Sequence, residues 1–177
     1  NDCSGRPKYL WLQAADIDEQ KNAALELVDA ERRWSFALES AGQGVWESDL
    51  VRGTVFYSPT WKRMRGYGAD EHVESTREAW IERVHPLDRE RVRIHILQAE
   101  QLPRNVFEYR EQHRNGHYIW IQSRGAPVEF NEQGRPVRFI GTDTDVTELK
   151  RAEARSHKLA KRLELALNVS QIGVFEA

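Results

Sequence analysis

Three observations predict an α+β chain: a five-stranded antiparallel sheet, a cluster of short helices on one face, and long helices at both ends. First, residues about 19–41 and about 148–170 are rich in Ala, Glu, Lys, Arg and Leu and contain no Gly or Pro, the composition of long helices. Second, between them lie five runs with strand composition, two short ones early and three longer ones late. Third, the two strand groups are separated by short helical patterns with N-terminal caps. Two strands, a helical cluster and a three-stranded meander make an α+β arrangement.

Taken in order, residues 5–15 read as a strand that closes something before it, and 19–41 as an entry helix. "GVWESDL" and "TVFYS", split by Arg52-Gly53, read as a hairpin. In "SPTWKRM", Ser58 is placed as a cap with Pro59 at the first helical position. "STREAWIERV" offers a capping box, Ser75 with Glu78. Pro86 is expected to open the next helix, "PLDRERVRIHILQAEQ". "NVFEYREQH" and "HYIWIQSRGAPVEF" are joined by Asn115-Gly116, a strong hairpin signal, and the last strand follows across "NEQG". In "HYIWIQS", Tyr118 and Trp120 point one way and Ile119 and Ile121 the other, so bulk lies on both faces. A flanking helix or a partner subunit is expected over the second face. Thr147 is expected to cap the exit helix.

The chain also repeats itself. "GRPKYLWLQAADIDEQKN" from Gly5 returns as "GRPVRFIGTDTDVTELKR" from Gly134, an offset of 134 minus 5, or 129. Over residues 5–48 against 134–177 there are 13 identities in 44 positions without a gap. A period of 129 is the size of a domain plus a linker, not of a solenoid unit. The expected organisation is the tail of one repeat at 1–18, a linker helix at 19–41, a whole domain at 42–147, an exit helix at 148–170 and the start of another repeat at 171–177. On this reading the chain is a piece of a longer tandem protein.

Composition bounds the function. Of 177 residues, 31% are charged and 40% apolar, with a net charge of −2, which leaves no electrostatic footprint for nucleic acid. No apolar run approaches the roughly 20 residues of a spanning helix, so a cytoplasmic chain is expected, with any membrane anchor outside it. The lone Cys3 fits a reducing compartment. No phosphate loop, nucleophile elbow or HExxH motif is present, so the chain is not expected to be an enzyme itself.

Between residues 34 and 148 the chain resembles a PAS domain with its C-terminal PAC motif. The resemblance is carried by Gly44-Val45-Trp46-Glu47, Ser58-Pro59-Thr60-Trp61, Gly66-Tyr67, Val84-His85-Pro86-Leu87-Asp88-Arg89, Tyr109-Arg110, Asn115 to Trp120, Gly134-Arg135-Pro136 and Gly141 to Thr147. It implies the PAS fold and a sensory or regulatory module of a bacterial signal-transduction protein. Such a module relays ligand or conformational signals to a downstream output domain. A diguanylate cyclase or EAL phosphodiesterase is the expected output, and a histidine kinase the alternative, so the parent is expected to be an enzyme. A second alternative is a ligand-free PAS domain that spaces and dimerises its neighbours. Neighbouring PAS and output domains in the same chain are the expected partners.

Under this resemblance Asp145-Val146-Thr147 matches the motif that joins core to exit helix. Asp145 and Thr147 are the relay candidates, against the plainer reading of a helix cap and a buried, hydrogen-bonded Asp. Leu149, Leu159 and Leu163 on the exit helix, with Leu27 and Trp34 on the entry helix, form a short heptad-like seam that predicts a homodimer. Phe56, Trp61, Met64, Tyr67, Trp80, Phe107, Tyr109 and Trp120 either cage a flat ligand or, as aromatics more often do, fill the core. No cofactor is expected. A flavin held for redox sensing is compatible with the sequence, but a photoadduct is not, because Cys3 lies outside the helical cluster. Haem is disfavoured: His85 belongs to the "VHPLD" pattern and His95 to a charged helix. His72, His113, His117 and His157 lack metal-ligand spacing, so no metal is expected.

Overall fold

The computed structural model describes residues 8–99 and 105–172. The chain divides into two compact units, 1–41 and 42–177. The first is one helix, α1, Lys8–Ser40. The strand expected at 5–15 is therefore corrected: from Lys8 the backbone is helical. Among the described residues no strand pairs with this segment, and Leu, Lys, Gln and Ala are strong helix formers. Of the segment 171–177, where the next repeat is expected to begin, residues 171 and 172 continue the exit helix, and 173–177, like Cys3, lie outside the described residues.

The second unit is built on a five-stranded antiparallel sheet of order β2-β1-β5-β4-β3. Its strands are β1 (Gly44–Asp49), β2 (Thr54–Tyr57), β3 (Asn105–Gln112), β4 (Tyr118–Phe130) and β5 (Pro136–Asp145). The β1–β2 turn is held by the Asp49 carboxylate, which accepts from Val51 N and Arg52 N at 2.9 Å each. Gly53 closes it at φ +68°, a conformation that favours glycine. The β3–β4 hairpin turns at Gly116, with His113 N donating to His117 O.

Three short helices connect β2 to β3: α2 (Pro59–Met64), α3 (Arg77–Arg83) and α4 (Arg89–Ala99). Ser58 caps α2 as expected, accepting from Trp61 N, with Pro59 in the first turn. The expected Ser75–Glu78 box is corrected by one residue. Thr76 is the cap and accepts from Ala79 N, because the Ser75 carbonyl is already taken by Val55 N. Pro86 does not open α4. Residues 85–88 form a turn fastened to β3, His85 N donating to Arg110 O and Asp88 N to His85 O, so the helix starts at Arg89.

One sheet face packs under these helices. Tyr109, Ile119 and Ile121 meet Ile81, Val84 and Val92 in the main core cluster; Tyr57, Trp61 and Val73 form a second. On the opposite face Phe56, Val106 and Ile140 are exposed. The exit helix α5 (Thr147–Ile172) follows β5 across a single residue, Val146.

The turn before α4 is clamped by charge. The Asp88 carboxylate accepts from Arg110 Nε at 2.9 Å, Arg110 NH2 at 2.8 Å and Arg110 N at 3.0 Å. The Arg110 hydrogen bonds bring its pKa down to about 2 from an ordinary 3.8. A depressed carboxylate stabilises the fold above its unfolded pKa, and this is lost as pH falls through the folded value. Asp88→Asn is therefore expected to cost up to about 2 kcal/mol at pH 7 and to flatten the loss of stability between pH 4 and 2. Urea unfolding at pH 7 and pH 3 checks both.

Candidate functional site

The centre of the site is a set of charges that the fold takes out of water. Strand alternation turns Phe107, Tyr109 and Glu111 of β3, and Gly141 and Asp143 of β5, to the helix face. Arg65, directly after α2, is fully buried and lies between the two carboxylates. Its Nε donates to Glu111 Oε2 at 2.8 Å and its NH2 to Asp143 Oδ2 at 2.5 Å. Arg83 Nε reaches Glu111 Oε1 at 3.1 Å, so two arginines balance two carboxylates. The Arg65 guanidinium also stacks 3.8 Å over the Trp61 ring. Trp61 Nε1 and Trp46 Nε1 donate to Asp143 at 2.9 and 3.0 Å. Among the described residues no buried side-chain nitrogen or oxygen lacks a partner, as a buried ionic network requires.

Burial opposes charge on every member, and the outcomes differ. Burial pushes Glu111 up, but Arg65 and Arg83 outweigh it and hold the carboxyl below its ordinary value. At Asp143 burial prevails over Arg65, and its pKa is raised. Arg65 resists burial because both carboxylates raise its pKa. Burial raises Tyr109 well above its ordinary value.

Beside this network is a cavity of about 120 Å³, walled by Trp46, Tyr57, Trp80, Phe107 and Phe139, with Asp143 in its lining. Trp46 shows why "GVWE" suits the place. Its indole lies against Gly125 and Gly141, which face each other on β4 and β5. A Cβ on Gly125 would come 2.8 Å from the indole.

Of the aromatic candidates, Trp61, Trp80, Phe107 and Tyr109 line the cavity. Met64 packs on the main core cluster and Tyr67 on the second, neither in the lining. Phe56 is corrected: it is 59% exposed, on the opposite face, because β2 alternation gives the inward place to Tyr57. Trp120 is corrected for the same reason. Its neighbours Ile119 and Ile121 point into the core, and Trp120 lies on the outer face between Arg110 and Lys150, each under 6 Å from its ring. His95 lines the cavity, hydrogen-bonded to Asn105 and packed on Phe107. His85 accepts from Leu87 N and meets Tyr118 edge-on.

The joint to α5 also differs from expectation. The Thr147 hydroxyl does not cap the helix. It accepts from Trp120 N at 2.8 Å, while Asp145 Oδ1 accepts from Thr147 N at 2.8 Å. Asp145 is exposed; the buried, hydrogen-bonded aspartate of this strand is Asp143. Lys150 adds an ion pair to Glu108 of β3 at 2.7 Å. Leu149, Leu159 and Leu163 of α5 are 56–59% exposed, and Leu27 and Trp34 of α1 are exposed as well. Among the described residues no helix is long and apolar enough to cross a membrane.

The family described as "PAS fold" matches residues 54–143. The chain is 32% identical over 144 residues to a non-motile and phage-resistance protein of Caulobacter vibrioides, covering 80% of this chain and 17% of that protein. It is 29% identical over 172 residues to a probable diguanylate cyclase of Escherichia coli, covering 93% of this chain and 15% of the other. The chain thus spans less than a fifth of either curated relative. A crystal structure of a sensory box histidine kinase/response regulator from Burkholderia thailandensis superposes with TM-score 0.65 at 32% identity, covering 75% of this chain and 98% of that one. With the five-stranded sheet, the helical cluster and a family match over residues 54–143, this chain belongs to the PAS fold family.

Proposed function

We propose that this chain is a cytoplasmic sensory module. The state of its cavity is relayed through β5 into the exit helix, and so to an output domain elsewhere in the parent protein. The observation that carries this reading is the position of Asp143. It lies in the cavity lining and binds Trp46, Trp61 and Arg65, and it stands four residues before Thr147 on the strand that runs into α5. A change at the cavity that moves Trp46 or Trp61 pulls on that strand. The relatives support a diguanylate cyclase or a histidine kinase as the output.

Filling the cavity tests the relay. Leu50 is in the lining, and Leu50→Trp is expected to change hydrogen exchange at the amides of 145–150 at least threefold. Unchanged exchange in a folded variant would remove the relay reading.

A dimer through α5 is a further part of the proposal, supported by the exposed leucines at 149, 159 and 163. The pair Leu159→Lys and Leu163→Lys is expected to convert a dimer to a monomer in sedimentation equilibrium. A wild-type monomer at high protein concentration would count against it.

A further inference from the structure

We infer that the cavity is a receptor site for a single-ring aromatic carboxylate, its ring among Trp46, Trp80 and Phe107 and its carboxylate on Arg77. The inference rests on the sensory reading and adds the class of ligand. Size sets the first limit. The cavity measures about 120 Å³, and a dry apolar cavity of about 150 Å³ accommodates benzene. One ring, with its polar end outside at the rim, is therefore the upper limit; three fused flavin rings or a porphyrin do not enter without rebuilding the walls.

The walls set the shape. Trp46, Tyr57, Trp80, Phe107 and Phe139 present ring faces and edges to a flat guest. Charge sets the remaining feature. Asp143 cannot serve the ligand, because its oxygens already take Trp46 Nε1, Trp61 Nε1, Arg65 and the Ser123 hydroxyl. His95 is engaged by Asn105. Arg77, the first residue of α3, is the remaining cationic side chain of the lining, and no carboxylate pairs with it among the described residues. It is exposed, so its guanidinium stands at the rim rather than in the interior. A planar guanidinium binds a carboxylate through two parallel hydrogen bonds. A carboxylate is costly to bury but not to hold at a wet rim. The site therefore matches a guest that is apolar at one end and anionic at the other.

The test uses the chain as it stands, with benzoate and benzyl alcohol as probes and the indole N–H signals of Trp46 and Trp80 in nuclear magnetic resonance as the readout. Benzoate is expected to shift both signals saturably and to bind more tightly than benzyl alcohol. Arg77→Gln is expected to weaken benzoate about tenfold and leave benzyl alcohol unchanged, and Leu50→Trp to abolish both. Equal affinity for the two probes, or a benzoate affinity indifferent to Arg77→Gln, overturns the carboxylate assignment. Entry of neither probe overturns the ligand class. In that case an altered exchange at 145–150 in Leu50→Trp leaves the sensory reading standing, and a silent Leu50→Trp removes both.

Discussion

Replacing Arg65 with leucine is expected to destabilise the PAS core by about 3–5 kcal/mol, the usual cost of removing one partner from a buried ion network. The side chain is fully buried and its guanidinium serves Glu111, Asp143 and the Trp61 ring together. Without it, two carboxylates face each other in a site closed to water, with only Arg83 as counter-charge. Arg65→Lys is expected to recover little, since one ammonium cannot reproduce a fork that reaches two acids. The pH dependence separates this account from a simple packing loss. In the native chain Glu111 is depressed, so its contribution is present above its unfolded pKa and is lost as pH falls through the folded value. Asp143 is raised, so its effect has the opposite sign: stability falls as pH rises from its unfolded toward its folded pKa. Removing Arg65 places both acids under burial. Asp143, its arginine gone, then prefers still more to be protonated when folded, while Arg83 alone opposes burial at Glu111, and the variant is expected to be more stable at pH 5 than at pH 8. Urea unfolding at the two pH values decides. A variant within about 1 kcal/mol of the native chain, or one with no such slope, would mean that the network contributes little.

These central residues were the least legible part of the sequence, although a signal for them exists. Strand alternation turns Tyr109 inward on β3, and the same count of two turns Glu111 inward. On β5 it places both Asp143 and Asp145 on the inward face, and parity alone does not tell the buried Asp143 from Asp145, which is exposed at the end of the strand, at the joint. A charged residue at an inward position of a strand is legible only if a counter-charge can be supplied, and Arg65 is 46 residues from Glu111 and 78 from Asp143. Local pattern carries no information about such a pairing. The turns, by contrast, were plain, because Gly53, Gly116 and Gly134 each sit at positive φ, a local demand that the residue type reveals. The helix starts that were misplaced, at Ser75 and Pro86, failed for one reason. In each case a carbonyl or amide of the expected cap was already engaged across the fold, by Val55 or by Arg110, and a distant partner overrode a local propensity. Residue type alone points Phe56 and Trp120 at the cavity, whereas strand parity turns both to the other face.

Thr147→Val is expected to loosen the exit helix from the sheet while leaving the core intact. Valine keeps the shape of threonine but removes the oxygen that accepts from Trp120 N. The Trp120 amide is then left without its partner, at a cost of about 1–3 kcal/mol. The loss is local. Val146 N still donates to Trp120 O, and Asp145 still accepts from the backbone of residue 147. Exchange should therefore accelerate at Trp120 and at 146–151, tenfold or more, while amides around Ile121 and Tyr109 keep their protection. Thr147→Ser, which retains the hydroxyl, should behave like the native chain. The relay adds a sharper demand. If the cavity acts on α5 through this joint, the change that Leu50→Trp produces at 145–150 should shrink or vanish when combined with Thr147→Val, because a slack joint transmits less displacement. Two effects that simply add would mean that the cavity and the helix respond independently. In that case the Lys150–Glu108 pair, a second link from α5 to the sheet, would be the next bond to cut.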